Sequence, residues 1–212
     1  MTTRLAVGGS SAYPPTIGHK IFLEALLNCG LFDTVVWIVS GKRNDKDYQI
    51  DPLHRQNMTD LLVTDLAYNQ TKVNLIVINE KLDQPNTPTI AWLEQYAKDF
   101  PSAIVNLYTG SDSIIPHPEW NNLCEIEAKW VRGPEVIKYP IVVIPRRDFA
   151  LPLIGDPIYD RFVDLIILGK NTPVVSSTLI RENIKAHLPW QHATTPKIAT
   201  YIENNQLFQN LS

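Results

Sequence analysis

Residues 8–19 read GGSSAYPPTIGH, set between a short apolar run, RLAV at 4–7, and an amphipathic segment that begins IFLEALL at 21–27. The order predicts a strand, a tight turn and a helix in direct succession. Gly8 and Gly9 carry no Cβ, so a backbone there can approach a ligand closely and reach dihedrals that other residues resist. Pro14 and Pro15 stiffen the exit of the turn. The helix is expected to begin at about Thr16 or Ile17, which puts His19 and Lys20 in its first turn. Cations at the positive end of a helix dipole are unfavourable by a few tenths to about 1 kcal/mol, and a bound anion would compensate. Taken alone, the stretch reads equally as a tight turn followed by a solvated His19.

The remainder of the chain supplies a sheet for that first strand. Apolar, β-branched runs at 4–7, 34–39, 73–78, 103–108, 141–144 and 163–168 alternate with segments of helical period, among them Ile21/Ala25/Leu26, Met58/Leu61/Leu62 and Ile90/Leu93/Tyr96/Ala97. That alternation predicts a parallel sheet wound with crossover helices. Two further helices are expected at about 178–187 and 196–203. The aperiodic stretches 41–52 and 145–160 suit loops at strand ends, where such sheets bind ligands.

A chain of 212 residues, 44% hydrophobic, is expected to form a single domain, 1–212, and to bury roughly 70% of its unfolded surface. A formal charge of −3 argues against nucleic acid or an anionic membrane as partner. Cys29 and Cys124 have no paired spacing, which suggests reduced thiols and a cytoplasmic setting. No run reaches 18 apolar residues, and the apolar run near Met1 is too short for a signal peptide.

A second helix start repeats the pattern of the first. In VVSSTLIREN at 174–183, Ser176, Ser177 and Thr178 offer an N-cap, and Arg181 is expected in the first turn, where an acid would be preferred. Hydroxyls, amides and a guanidinium suit a phosphate. Either helix by itself could be an ordinary capped helix with a solvent-facing cation. Two helices breaking one local rule in the same way suggest a polyphosphate held between their N-termini.

These stretches carry a resemblance. GGSSAYPPTIGH, HRQNM at 54–58, TPTIAWLEQYAKDFP at 87–101, YTGSDSIIPHPEW at 108–120, VSSTLIRENI at 175–184 and KIATYIENNQLF at 197–208 follow in the order found in bacterial nicotinate/nicotinamide mononucleotide adenylyltransferases. The chain is similar to that family, within the nucleotidylyltransferase superfamily, along its whole length. The resemblance implies an α/β, Rossmann-like doubly wound parallel sheet with C-terminal helices. It also implies transfer of AMP from ATP to the 5′-phosphate of nicotinate mononucleotide, with release of pyrophosphate and no covalent intermediate. Nicotinamide mononucleotide, a phosphopantetheine-like acceptor, or an adenine-nucleotide-binding protein without turnover are the alternatives. Homo-oligomerisation is compatible with it.

Carried over residue by residue, Gly9 and Ser10 would offer donors to phosphate, Thr16 and His19 would hold the ATP phosphates, and Arg181 with Ser177 and Thr178 would cradle the pyrophosphate. Lys46, with Lys42 as substitute, would be the basic loop residue, although a solvated charged loop fits equally. Asp112 would accept from ribose hydroxyls or, alternatively, cap a helix. Trp120 would stack on the pyridine ring, a role a core tryptophan need not have. Backbone amides around Thr87 would read the acceptor's carboxylate, and Mg2+ would arrive bound through the ATP phosphates. The sequence departs from the family at Ser11-Ala12-Tyr13, one residue longer than the usual Phe-Asp or Phe-Asn, and at Thr16, where the mononucleotide enzymes usually have His.

Overall fold

The structure, a computed structural model, describes residues 2–44, 46–111, 141–146, 166–167 and 173–209. Among these, six strands form one sheet: β1 (Arg4–Ser10), β2 (Thr34–Val39), β3 (Asn74–Asn79), β4 (Ile104–Gly110), β5 (Ile141–Ile144) and β6 (Ile166–Ile167). Their order is β3-β2-β1-β4-β5-β6, and every pairing is parallel. Among the described residues the α-helices are α1 (Ile17–Asn28), α2 (Pro52–Thr64), α3 (Thr89–Asp99), α4 (Ser177–Lys185) and α5 (Pro196–Asn204). The expected doubly wound Rossmann-like sheet with C-terminal helices is the fold observed.

The strands read as unbroken apolar runs because helices cover both faces of the sheet. Alternate residues go to opposite sides. Leu5, Val7, Val36, Ile38, Val105, Leu107, Ile141 and Val143 pack with Leu93 and Tyr96 of α3. Ala6, Val35, Trp37, Val39, Val142 and Ile144 face the other way, onto Leu23 and Leu26 of α1, Met58 and Leu62 of α2, Ile180 of α4 and Ile198 and Ile202 of α5. Each such buried aliphatic side chain contributes about 1.5–3 kcal/mol. Edge strand β3 is less covered, with Ile76 40% exposed.

The opening stretch departs from expectation at its glycines. Gly8 and Gly9 lie inside β1, which runs to Ser10, and neither has a positive φ. Close neighbours require them. A Cβ on Gly8 would lie 2.6 Å from the Tyr108 ring and carbonyl oxygen, and one on Gly9 would lie 2.7 Å from the Ile38 carbonyl oxygen. Tyr108, on β4, lies across β1 with its hydroxyl 3.0 Å from the carbonyl oxygens of Gly8 and Val36. The turn proper is Ser11–Pro15, and the residue that reaches the left-handed region is Ala12, at φ 44°.

Two buried or half-buried charges tie the carboxyl ends of the strands to their loops. Arg55 of α2 is 1% exposed and donates to the carbonyls of Ser11 (2.8 Å) and Ser40 (2.7 Å), with its guanidinium carbon 4.4 Å from the Tyr48 ring centroid. Its role is architectural. Glu80, after β3, accepts from the amides of Gly41 (2.6 Å) and Thr87 (3.1 Å) and from Trp92 Nε1 (2.7 Å).

Candidate active site

A cleft of about 370 Å³ opens at the carboxyl ends of β1 and β4. These strands lie side by side in the middle of the sheet, where the strand order reverses direction, which is the expected ligand position in an open α/β sheet. Its walls come from several segments. The end of β1 and the turn contribute Gly9, Ser10 and Ser11; the start of α1 contributes Thr16, Gly18 and His19; and the loop after β2 contributes Arg43 and Lys46. The ends of β4 and β5 add Tyr108, Thr109, Gly110 and Arg146, and the start of α4 adds Ser176, Ser177 and Thr178. Among the described residues the lining holds Arg43, Lys46 and Arg146 and not one carboxylate.

The start of α1 resolves the apparent dipole conflict at His19. Thr16 is the N-cap and is 2% exposed. Its Oγ1 accepts the His19 amide at 3.3 Å and lies 2.8 Å from His19 Nδ1, while Nδ1 accepts the Thr16 amide at 3.0 Å. This is a capping box with histidine where glutamate or glutamine is usual. A ring nitrogen that accepts an amide N–H carries no proton itself, so the neutral ring bears its proton on Nε2. Burial, with Lys46 and Arg146 nearby, holds the His19 pKa down to about 4. The expected cation is therefore a neutral acceptor in the apo protein, and the dipole does not oppose it. Lys20 is ion-paired with Glu24 one turn on.

The start of α4 is displaced by one residue from expectation. Ser176 is the N-cap and accepts the Leu179 amide at 3.0 Å, so the helix begins at Ser177. Arg181 is then its fifth residue, in the second turn. Its guanidinium donates to the Tyr13 carbonyl (2.6 Å) and to Thr178 Oγ1 (3.2 Å) and packs 4.8 Å from the Tyr13 ring centroid. Arg181 does not border the cleft; Thr178 stands in front of it.

Hydroxyl polarity separates donors from non-donors in this lining. Ser10 Oγ accepts from Trp37 Nε1 at 3.1 Å, and Thr178 Oγ1 accepts from Arg181, so each keeps its own proton to offer. Ser177 donates its single hydroxyl proton to the Pro14 carbonyl at 2.7 Å, which leaves its amide as the donor for a ligand. The first amides of a helix have no intrahelical acceptor, and Gly18 and Thr178 bring two such helix starts to one cleft. Lys46 Nζ donates to Ser11 Oγ at 2.8 Å.

The residues singled out in the sequence thus divide in three. Gly9, Ser10, Thr16, His19, Lys46, Ser177 and Thr178 converge on the cleft. Arg181 stands behind it, and Thr87 is exposed and away from it, with its amide engaged by Glu80 rather than available to a carboxylate. Asp112 and Trp120 lie outside the described residues, as does Cys124. Sequence reasoning missed Arg43, Arg146, Trp37 and Tyr108. Arg146 follows the apolar run of β5, so its place at a strand's carboxyl end was the available signal. Nothing distinguishes Trp37 or Tyr108 from core residues before the fold is known.

No protein-family model matches the chain. It is 26% identical over 211 residues to a Caldicellulosiruptor bescii protein named "probable nicotinate-nucleotide adenylyltransferase", covering 97% of this chain and 99% of that one. A Flavobacterium psychrophilum protein of the same name is 28% identical over 202 residues, 92% and 94% of the two chains. Among solved structures, Plasmodium falciparum nicotinic acid mononucleotide adenylyltransferase complexed with NaAD shares the fold with a TM-score of 0.77, at 21% identity and 97% coverage of both chains. The same enzyme complexed with APC gives a TM-score of 0.72 at 20% identity. Along nearly its whole length the chain is similar in sequence to proteins named probable nicotinate-nucleotide adenylyltransferase, and it shares its fold with a solved nicotinic acid mononucleotide adenylyltransferase.

Proposed function

We propose that this chain, read as one nucleotidylyltransferase domain, transfers AMP from ATP to nicotinate mononucleotide. A 5′-phosphate oxygen of the mononucleotide attacks the α-phosphorus of ATP, the α–β bridging P–O bond breaks, and deamido-NAD and pyrophosphate result, a step of NAD biosynthesis. The observation that carries this reading is the convergence of two helix starts, Arg43, Lys46 and Arg146 on one cleft lined by hydroxyl donors. Such a displacement needs fixed donors around growing negative charge more than it needs a nucleophilic side chain.

In this reading His19 Nε2–H, the amides at the starts of α1 and α4, and the protons of Ser10 and Thr178 hold phosphate oxygens. Lys46 and the arginines offset the charge that develops on pyrophosphate. Among the described residues no group of three or more His, Cys, Asp or Glu side chains lies together. That donor set suits magnesium carried by the ATP phosphates and waters, where it would neutralise charge on the leaving group. Asp112 as ribose acceptor and Trp120 as the pyridine platform complete the assignment. With the Thr87 amide held by Glu80, donors elsewhere would read the nicotinate carboxylate.

The test is pyrophosphate release from ATP and magnesium with a panel of phosphorylated acceptors, the dinucleotide product being identified by mass. Nicotinate mononucleotide is expected to give the highest kcat/KM. A preference for nicotinamide mononucleotide or a phosphopantetheine would change the acceptor. ATP binding without release for any acceptor would make the chain a nucleotide-binding protein.

A further inference from the structure

Within the turn, residues 11–13 depart from the pattern of the family that the sequence resembles, and Tyr13 among them is joined to both sides of the cleft. It is fully buried. Its hydroxyl accepts the Gln49 amide at 2.8 Å, which fixes the loop that carries Lys46, and Lys46 in turn donates to Ser11 Oγ two residues before Tyr13. Its carbonyl accepts from Arg181 at 2.6 Å, and its ring lies 4.8 Å from the Arg181 guanidinium carbon. Arg181 then donates to Thr178 Oγ1, which borders the cleft.

We infer that Tyr13 is a positioning residue for phosphate binding: its hydroxyl sets the Lys46 arm, and its ring and carbonyl set the Arg181–Thr178 arm on the opposite wall. The inference deepens the reading of the cleft as an ATP site and rests on it. Its logic separates the two arms chemically. Tyr13→Phe deletes one hydrogen bond and keeps the ring and the carbonyl, so it loosens the Lys46 arm alone. Tyr13→Leu also removes the flat face against which the Arg181 guanidinium lies.

The experiment measures the Kd for Mg·ATP without acceptor, by calorimetry, in a set of double-mutant cycles, with a thermal melt of every variant. Tyr13→Phe is expected to weaken ATP about three- to tenfold, the range of one hydrogen bond. That loss should fall below about twofold in a Lys46→Ala background and persist in full in an Arg181→Ala background, because interaction energies appear only between coupled sites. The further loss on going from Phe to Leu should vanish in the Arg181→Ala background. In turnover, Tyr13→Phe should raise the KM for ATP far more than it lowers kcat. Gln49→Pro deletes the same hydrogen bond from the donor side and serves if a Tyr13 variant does not fold.

An unchanged ATP Kd in folded Tyr13→Phe overturns the inference, as does an equal loss with and without Lys46. Wild type that binds ATP yet forms no dinucleotide overturns the proposed reaction and leaves the cycle readable. Wild type that does not bind ATP overturns both.

Discussion

At His19 the decisive atom is Nδ1, which accepts the Thr16 amide and so directs the ring's one proton to Nε2. With the folded pKa near 4 against 6.5 in the unfolded chain, the unfolded state binds the extra proton between these values. Stability from this group is complete above pH 6.5 and is lost as pH falls toward 4, by up to about 2 kcal/mol at pH 5. Urea melts of wild type and His19→Asn at pH 7 and pH 5 check the sign: wild type should lose that much more stability than the variant. In turnover, His19→Ala should lower kcat by about 100-fold or more, as removal of a phosphate donor does, and near-parental kcat at saturating ATP would remove His19 from the site. Gly8 is sensitive for a different reason. A Cβ there meets the Tyr108 ring and a backbone oxygen at 2.6 Å, so Gly8→Ala should destabilise by about 1–3 kcal/mol, read as a lower urea midpoint.

Among the elements, α1 shows how a cap becomes part of a site. Thr16 satisfies the His19 amide and fixes the His19 ring in the same act, so its loss should have two readouts. Thr16→Ala is expected to cost about 1 kcal/mol in stability and to lower kcat through a ring that keeps the residue-16 amide but loses its hydroxyl partner, while Thr16→Ser should restore both. A variant that lost stability but kept kcat would confine Thr16 to capping. Helix α4 differs in that its cap, Ser176, and its arginine are separated by a full turn. Arg181→Ala should lower kcat as well, through Thr178 and the Tyr13 contact rather than by direct removal of a cleft cation, and by less than His19→Ala.

For the molecule as a whole, the site joins β1, β4, β5, α1, α4 and the loop after β2, so a ligand there bridges segments that are far apart in sequence. Ligand binding to the native state alone stabilises it by mass action, about 2.7 kcal/mol at a hundredfold excess over Kd. For a chain of this size that corresponds to a rise in Tm of about 5–10 °C. Differential scanning fluorimetry with Mg·ATP measures it, and no shift at saturating ATP would argue against the cleft as a nucleotide site.

The strand and helix alternation was legible in the residues because each β-branched run and each helical period is a local property. Once both sheet faces are covered, those runs need no other explanation. The two helix starts, with their hydroxyl residues, were legible for the same reason, since capping is settled within four residues. What tertiary structure alone decided is what those groups meet. Gly8 and Gly9 serve the approach of Tyr108 and Ile38 rather than a turn; Glu80 occupies the Thr87 amide; and Arg146, from a strand beyond the crossover, joins the cleft. Even the charge of His19 was undecided by the chain. In water the same imidazole takes up its proton near pH 6.5, and burial beside Lys46 and Arg146, a property of the fold, holds it neutral down to about pH 4.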